Sequence, residues 1–260
     1  MWSGGGALGH GSTKSVDLPQ EIQALTEAEV KVSGVGAGEN HTVFLAEDGE
    51  VWCCGSGEYG RCGNGVVADI VTPEPVEALE DFIITDIQVG HAFTLALSSD
   101  GELFVWGRND AGQLGLGGGL SMDVYAMEDL PKPLEGLAEE KVVTCAAGHS
   151  HAAAVTEEGK LFMWGMKRYL EPEWMSALEG KRVVDVSCGD KFTAAITDTG
   201  ELYTFGKGGS LSLGHGDKVT QLQPVMVKAL RGLGVHRVYC GHSHMAALVE
   251  PPPSSTPTSS

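Results

Sequence analysis

Histidine triplets are the first feature of this 260-residue sequence that could support chemistry. Four of the nine His residues form two His-Ser-His triplets, His149–His151 and His242–His244. Residues two apart on a β-strand share a face, so each triplet could offer a metal ion two imidazole ligands. The second His of each triplet, however, occupies a position that His41, Phe93 and Phe192 fill in the corresponding segments described below. A position that accepts Phe indicates packing, so we expect structural histidines and no metal site.

Sequence motifs for covalent or phosphate chemistry are absent. The chain contains no Gly-x-Ser-x-Gly elbow, no GxxxxGK[S/T] loop, no HExxH and no dinucleotide-binding GxGxxG that enters a helix. The glycine string Gly115–Gly119 lacks the lysine of a phosphate loop. Carboxylates such as Asp48, Asp100 and Glu158 fall in or near turns, which is typical of a solvated rim. We therefore predict a non-catalytic protein without a cofactor.

The composition narrows the range of partners. The chain has 17 Lys and Arg against 35 Asp and Glu, for a formal net charge of -18. Because nonspecific nucleic-acid binding depends on basic residues, we expect no direct nucleic-acid partner. No apolar stretch is long enough for a membrane span, and the six Cys residues form no CxxC pair. These features favour a protein with free thiols in the cytoplasm or nucleus, with no membrane partner.

An internal repeat predicts the strands and turns that would position a functional site. Five segments begin at glycines about fifty residues apart, a period typical of repeat proteins. In each complete unit, an apolar run leads to a turn such as Asp48-Gly49, and a second run ends in an aromatic-glycine pair. Short turns with Gly between such runs indicate β-hairpins. A Gly-rich loop and a Pro-bearing segment usually follow. The predicted structural repeat residues are Gly38, Gly90, Gly148, Gly189, Gly241, Trp106 and Trp164.

Four strands per unit predict an all-β fold, a β-propeller of four-stranded blades. The four full repeats span about residues 32–80, 84–137, 142–179 and 183–231. Residues 1–25 read as the second half of a unit and residues 235–250 as the first half. We therefore expect them to form one composite blade, giving five blades within a single domain, 1–250. The Pro/Ser/Thr composition of residues 251–260 predicts a disordered tail.

At these residues the sequence resembles the regulator of chromosome condensation repeat family. The family start Gly-x-x-His-Thr matches Gly38–Thr42, its Trp-Gly pair matches Trp106-Gly107, and its Gly-x-Leu-Gly-x-Gly loop matches Gly112–Gly117. The best-known members are seven-bladed propellers. The resemblance therefore leaves two alternatives, a five-bladed ring or part of a longer seven-bladed parent.

A surface for a partner is predicted where the repeat pattern breaks. The third unit replaces its Gly-rich loop by the basic and aromatic segment Met166–Met175, and the second unit expands its loop. Aromatic residues, Met and Arg are enriched at protein interfaces. The predicted partner-binding residues are Met122, Tyr125, Met127, Lys167, Arg168, Tyr169 and Trp174. The alternative is that Tyr169 and Trp174 only fill the volume left by the lost loop.

Two functions follow for a chain of this kind. We expect a monomeric, non-catalytic scaffold that binds a protein partner. The family resemblance implies the alternative, a guanine nucleotide exchange factor for a small GTPase. We see no basic N-terminal arm and no β-wedge, which disfavours the chromatin-linked exchanger. The ultraviolet-photoreceptor branch carries Gly-Trp-Arg-His-Thr repeats, whereas Glu39, His91, His149, Asp190 and His242 follow the glycines of this sequence.

Overall fold

Five antiparallel sheets make up the fold. The computed structural model describes residues 5–117 and 126–250. The first sheet contains β1 (Val32–Ala37), β2 (His41–Ala46), β3 (Val51–Gly55) and β4 (Ile70–Pro75). The second contains β5 (Ile84–Val89), β6 (Phe93–Ser98), β7 (Leu103–Arg108) and β8 (Met127–Pro133). The third contains β9 (Val142–Ala147), β10 (His151–Thr156), β11 (Leu161–Gly165) and β12 (Tyr169–Trp174).

The remaining two sheets differ in size. The fourth contains β13 (Val183–Cys188), β14 (Phe192–Thr197), β15 (Leu202–Gly206) and β16 (Gln221–Met226). The fifth contains β17 (Val235–Cys240) and β18 (Met245–Val249). One short helix, α1 (Gln23–Glu27), precedes the first sheet. Single 3₁₀ turns lie at Glu58–Gly60, Glu77–Leu79, Glu135–Leu137, Ser176–Leu178 and Lys228–Leu230. The predicted all-β class, with blade-like sheets of four strands, is confirmed.

Glycines close the predicted hairpins. The turn glycines Gly49, Gly101, Gly159 and Gly200 have φ values of 94°, 88°, 81° and 74°. Side chains other than glycine rarely adopt this left-handed region, which explains the residue type at these turns. In the third sheet, Met166 and Lys167 both have φ 58° and link β11 to β12 directly. This tight turn replaces the Gly-rich loop that the other complete units carry between their third and fourth strands.

The first strands of neighbouring sheets lie side by side at the centre of the molecule. In each complete sheet, the turn between the first two strands lies at the same end as the loop between the last two. In the first sheet, for example, Ala37 pairs with Thr42, His41 with Gly55, and Gly55 with Ile70. We call this end of the molecule the loop face. The opposite end carries the three-residue hairpin turns between the second and third strands and is called the turn face.

The hydrophobic core lies between successive sheets, and Gly-rich loops join the first sheet to the second and the second to the third. The indole Nε1 of Trp106 donates to the Arg61 carbonyl oxygen at 3.1 Å. Trp164 Nε1 donates in the same way to the Gln113 carbonyl oxygen at 2.9 Å. In both cases the acceptor belongs to the Gly-rich loop of the preceding sheet. The predicted structural role of the two tryptophans therefore has a physical basis, since each one anchors a neighbouring loop.

The fifth sheet differs from the predicted composite blade. Within the described ranges, β17 and β18 form a two-stranded sheet, and residues 5–31 contribute no strand to it. The N-terminal segment packs instead against the first sheet. Thr42 Oγ1 donates to the Ala7 carbonyl oxygen at 2.8 Å, and the Gly11 amide donates to the Val71 carbonyl oxygen at 2.9 Å. This segment therefore contacts the first sheet in the way that each Gly-rich loop contacts the sheet that follows it.

The cysteines are free, as predicted. Five of them are buried and Cys240 is half-buried. Burial raises the pKa of Cys54 to about 12 and that of Cys240 to about 11, so both thiols stay protonated near neutral pH. In residues 5–117 and 126–250, no helix has the length and apolar character needed to cross a membrane.

Candidate functional site: a ring of polar residues on the loop face

Five polar side chains gather around the centre of the loop face. Each one directly follows a repeat glycine, in the turn between the first and second strands of its sheet. Four of them line a depression of about 300 Å³ together with the repeat glycines, and the fifth, Glu39, contacts His91 at its edge. We call these residues the axial ring: Glu39, His91, His149, Asp190 and His242.

Backbone hydrogen bonds from sheet to sheet fix the axial ring. The Glu39 amide donates to the His91 carbonyl oxygen at 2.9 Å, and the His91 amide donates to the Gly148 carbonyl oxygen at 3.3 Å. The series continues with the His149 amide, which donates to Gly189, and the Asp190 amide, which donates to His242. Because their backbone is held by neighbouring sheets, these side chains sit on a rigid frame.

Ring side chains also contact one another around the circle. Glu39 Oε2 lies 3.2 Å from His91 Nε2, and the imidazoles of His91 and His149 stack with centroids 4.0 Å apart. Asp190 lies between two histidines, 3.9 Å from His149 Nδ1 and 4.0 Å from His242 Nε2. The site combines two carboxylates with three imidazoles, so it can both accept hydrogen bonds from a bound molecule and donate them to it.

The protonation of His91 follows from its surroundings. Burial lowers the pKa of His91, and so do the neighbouring His149 imidazole and the Arg61 and Arg108 guanidinium groups, while the Glu39 carboxylate raises it. The net effect is a lowered pKa, so His91 is neutral near neutral pH. A neutral imidazole offers one donor and one acceptor rather than a positive charge.

A cluster of two arginines around a tyrosine lies beside the axial ring. The Arg61 side chain is 1% exposed; its Nε donates to the Glu58 carbonyl oxygen at 2.7 Å, and its Nη1 lies 4.0 Å from Glu39 Oε2. The guanidinium carbons of Arg61 and Arg108 lie 5.6 Å and 4.7 Å from the centre of the Tyr59 ring. These cation–π contacts hold both guanidinium groups against the Tyr59 side chain.

Arg108 is held a second time by Asp110. Its Nε and Nη2 donate to the two carboxylate oxygens of Asp110 at 2.7 Å and 2.9 Å. Burial opposes ionisation of Asp110, but the hydrogen bonds from Arg108 and Gln113 hold the pKa of this carboxyl below its usual range. The pair therefore remains charged and bidentate, which orients the guanidinium toward Tyr59.

The predicted partner-binding residues do not all come together. Met122 and Tyr125 lie outside the described residues. Met127, Lys167, Arg168 and Tyr169 all lie at the loop-face ends of their strands or in the β11–β12 turn. Trp174 pairs with Phe162 at the turn-face end of β12, so it lies away from the others.

The contacts of Tyr169 and its neighbours bear on the alternative that this residue only fills the volume left by the lost loop. Tyr169 is half-buried against the cores of both the second and the third sheets. The Arg168 guanidinium lies 4.8 Å from the centre of the Tyr169 ring, and the Lys167 amide donates to the Ala111 carbonyl oxygen at 2.8 Å. Tyr169 thus fills space between two sheets, while Lys167 and Arg168 remain exposed.

The His-Ser-His triplets span a turn rather than a strand. His149 belongs to the axial ring, whereas His151 is fully buried and its Nε2 lies 3.0 Å from Thr193 Oγ1. Across the part of the chain that the structure describes, no group of three or more His, Cys, Asp or Glu side chains is placed to hold a metal ion.

Repeat glycines make room for the residue three positions further on. A Cβ at Gly148 would lie 2.6 Å from the His151 ring, and one at Gly90 would collide with the Phe93 ring. Gly38, Gly189 and Gly241 face rings in the same way. The close approach explains why a glycine opens each repeat.

Sequence reasoning did not identify the axial ring or Arg61 as a site. The ring residues form one column of the repeat, and that column is polar at every position although the glycine before it never varies. Arg61 stands in the column of Gln113 and Ser212. A charged residue in a column of small or neutral side chains was the available signal.

Comparisons with known proteins support the same fold. The model of the regulator of chromosome condensation (RCC1) repeat matches residues 2–45, 48–97, 100–155 and 199–248. A second model of this repeat matches residues 32–61, 84–113 and 183–210. These matches cover most of the chain and confirm the resemblance seen in the sequence.

Individual relatives give the extent of the similarity. The chain is 35% identical over 257 residues to the ultraviolet-B receptor UVR8 of Arabidopsis thaliana, covering 94% of this chain and 56% of the receptor. Human WBSCR16 aligns with a TM-score of 0.76 and 28% identity over 85% of this chain and 58% of that structure. Prp20p of Saccharomyces cerevisiae aligns with a TM-score of 0.73 and 20% identity, over 84% of this chain and 56% of that structure.

The chain therefore spans a little over half the length of these relatives. Its strands, its repeat glycines and the model matches agree. The chain belongs to the regulator of chromosome condensation (RCC1) repeat family.

Proposed function

We propose that this chain is a non-catalytic scaffold that binds a protein partner through its loop face, with the axial ring at the centre. One observation carries the proposal: polar side chains from four successive sheets line one depression, on a backbone that is tied from sheet to sheet. Such a pre-organised surface lowers the entropy cost of binding. Its imidazoles and carboxylates suit hydrogen bonds to another protein.

The outer part of the loop face extends this surface. Lys167 and Arg168 are exposed in the β11–β12 turn, and Met127 lies at the start of the neighbouring β8. Lys167 and Arg168 would donate hydrogen bonds to carboxylates at the edge of the partner, and Met127 would contact its apolar groups. The net charge of -18 means that the surface as a whole favours encounters with a basic protein.

The alternative function is guanine nucleotide exchange on a small GTPase. An exchange factor needs no nucleophile, because tighter binding of the nucleotide-free GTPase is sufficient. Prp20p, which shares this fold, binds the small GTPase Gsp1p and histones. The rigid axial ring would suit such a partner equally well.

Quantitative affinity purification with mass spectrometry tests the proposed surface. We expect the wild-type chain to recover partners that are lost with His149→Ala/His242→Ala and reduced with Arg168→Glu/Tyr169→Ala. Glu47→Ala/Glu157→Ala changes two exposed residues of the turn face and is the matched control, which should recover the same partners as wild type. Undiminished recovery by both loop-face variants, from folded protein, would contradict the proposal.

A second measurement on the recovered proteins separates the two functions. If a small GTPase is recovered, the release of a fluorescent GDP analogue from it is measured with and without the chain. A scaffold leaves the release rate unchanged. Acceleration that disappears with His149→Ala/His242→Ala would support the exchange factor instead.

A further inference from the structure

A groove lies at the turn face of each of the first three sheets. It is bounded by the hairpin turn between the second and third strands, by the 3₁₀ turn that follows the fourth strand, and by the residues that lead to the next sheet. The first, second and third grooves have volumes of about 360, 270 and 290 Å³. Because the three grooves share one backbone plan, they differ through their side chains.

The balance of charge in the groove reverses at the third sheet. Five carboxylates and no Lys or Arg line the first groove, and five carboxylates and one lysine line the second. In the third groove, three cations face two carboxylates. The cations are Lys160, Lys181 and Arg182, and the carboxylates are Glu158 and Glu179. The third groove therefore carries an excess of cations in a chain whose net charge is -18.

The two lysines of the third groove already have carboxylate partners. Lys160 Nζ lies 2.8 Å from Glu140 Oε1 and 2.9 Å from Glu158 Oε2. Lys181 Nζ lies 2.6 Å from Glu201 Oε2. A ligand would have to compete with these carboxylates for either lysine.

Arg182 differs from the two lysines, because its exposed side chain forms no ion pair within the described residues. Its Nη2 donates to the Glu157 carbonyl oxygen at 2.7 Å. Its stem crosses the hairpin turn so closely that a Cβ at Gly159 would lie 2.5 Å from Arg182 Cγ. These contacts hold the side chain in place and leave further guanidinium N–H groups for a ligand.

An exposed indole lines the same groove as Arg182. Trp174 is 39% exposed and pairs with Phe162 of the neighbouring strand. Pro75 and Pro133 fill the same place in the first and second sheets. The third unit therefore carries an aromatic surface where the other two carry a proline. Trp and Arg are among the residue types that most often anchor contacts between proteins.

We propose that the third groove binds a protein segment in which an acidic side chain neighbours an apolar one. The carboxylate accepts hydrogen bonds from Arg182, and the apolar side chain packs on Trp174. Charge selects this occupant, because the first two grooves repel an acidic segment while the third offers an unpaired guanidinium. The groove shares no residue with the axial ring, so the proposal is independent of the loop-face function. It gives Trp174 a binding surface of its own on the turn face.

Fluorescence polarisation with a labelled peptide tests the proposal on the full chain. The probe is a fluorescein-labelled peptide, Glu-Leu-Glu-Leu-Glu-Leu, which presents a carboxylate next to an apolar side chain in every register. Two control peptides carry Gln or Lys in place of Glu. We expect saturable binding of the Glu peptide and about tenfold weaker binding of both controls.

Substitutions in the groove locate the binding. Arg182→Glu and Trp174→Pro should each weaken binding of the Glu peptide about tenfold. Proline fills the same place in β4 and β8, so the sheet accommodates it. Lys228→Glu reverses an exposed charge in the 3₁₀ turn of the fourth sheet and is the matched control, which should bind like wild type. Glu179→Gln removes the groove carboxylate that no described cation pairs with, so binding should tighten about two- to threefold.

Circular dichroism verifies that every variant folds. A wild-type chain that does not bind the Glu peptide, or that binds the Gln or Lys peptide as tightly, would overturn the proposal. So would undiminished binding by the folded Arg182→Glu and Trp174→Pro variants. These outcomes concern the turn face alone, so they leave the test of the loop face unaffected.

Discussion

A single hydrogen bond explains which aromatic residue precedes the glycine at the end of the third strand of a sheet. Trp164 donates its indole N–H to the Gln113 carbonyl oxygen in the loop of the preceding sheet. The sheet after the shortened β11–β12 turn has no such loop beside it and carries Phe205 at the same position. An indole there would bury an N–H without this partner, which costs free energy. The change from Trp to Phe therefore follows from the loss of a loop one sheet away.

Buried histidines of the repeat are held neutral by their surroundings. Burial lowers the pKa of His151 to about 4 and that of His41 to about 3. Their Nε2 atoms lie 3.0 Å and 3.2 Å from the Oγ1 atoms of Thr193 and Thr94 on the next sheet. An unfolded chain regains a histidine pKa near 6.5. Between the two values the unfolded state binds more protons, so stability falls as the pH decreases through this window.

Replacing one such histidine should flatten the dependence of stability on pH. We expect wild type to lose about 1–2 kcal/mol more than His151→Phe between pH 7 and pH 5. Phe fills the same position in β6 and β14, so the fold accommodates it. Urea denaturation at each pH measures the free energy of unfolding. His236→Gln, at an exposed position, is the control and should keep the wild-type slope; an equal slope for His151→Phe would refute the prediction.

At the scale of elements, the Gly-rich loops are the connectors between sheets. Gly63 and Gly115 each lie against the indole of the next sheet, Trp106 and Trp164. Both glycines have positive φ values, 74° and 70°. The loop backbone therefore approaches an aromatic ring more closely than any residue with a Cβ allows. The repeat pattern predicted these loops, but only the structure shows that they contact the following sheet.

Adding a methyl group at one of these contacts should loosen a junction. A Cβ at Gly115 would lie 2.8 Å from Trp164 Cδ1, so Gly115→Ala combines a strained φ with overpacking. We expect a loss of about 2–4 kcal/mol in the free energy of unfolding. Gly216→Ala is the matched control, because Gly216 has φ 82° and no atom within 4 Å of its Cβ position.

The control should therefore lose only about 1–2 kcal/mol, the cost of the backbone conformation alone. Chemical denaturation measures both variants. Equal losses would mean that contact with the indole contributes nothing to the effect at Gly115.

At the scale of the whole molecule, the two faces differ in charge. Acidic residues predominate in the hairpin turns of the turn face, although Lys141 and Lys160 pair with two of them, Glu157 and Glu158. The acidic residues are Glu47, Asp48, Asp100, Glu157, Glu158 and Asp198. The loop face carries cations beside its acidic groups: Arg61, Arg108, Lys167, Arg168, Lys191 and Lys207. Like charges gathered on one face repel one another and destabilise the compact state. Composition alone reports the total of -18 and not this separation.

Screening the acidic face should stabilise the fold. Raising the ionic strength from about 0.01 M to about 0.15 M shortens the Debye length from about 30 Å to about 8 Å. We expect Tm to rise by about 2–4 °C, which corresponds to about 1 kcal/mol for a chain of this size. Differential scanning calorimetry at dilute protein measures it. Glu47→Lys/Asp100→Lys lowers the repulsion and should show a smaller rise; a Tm that falls with salt would contradict the argument.

The sequence by itself determined the repeat, the hairpin turns and the family, because glycine turns and apolar runs are local signals. The full repeats predicted at 32–80 and 183–231 contain the strands β1–β4 and β13–β16. The sequence grouped Trp174 with Tyr169, whereas the register of β12 places them at opposite ends of the strand.

Only the tertiary structure decided what lies between repeats. Within the described residues, β17 and β18 form a two-stranded sheet, and the segment around Ala7 contacts the first sheet. The axial ring depends on residues about fifty positions apart, such as His91 and His149, meeting at the centre. Contacts between sheets join residues that no local pattern links, so the axial ring emerges only when the sheets are assembled.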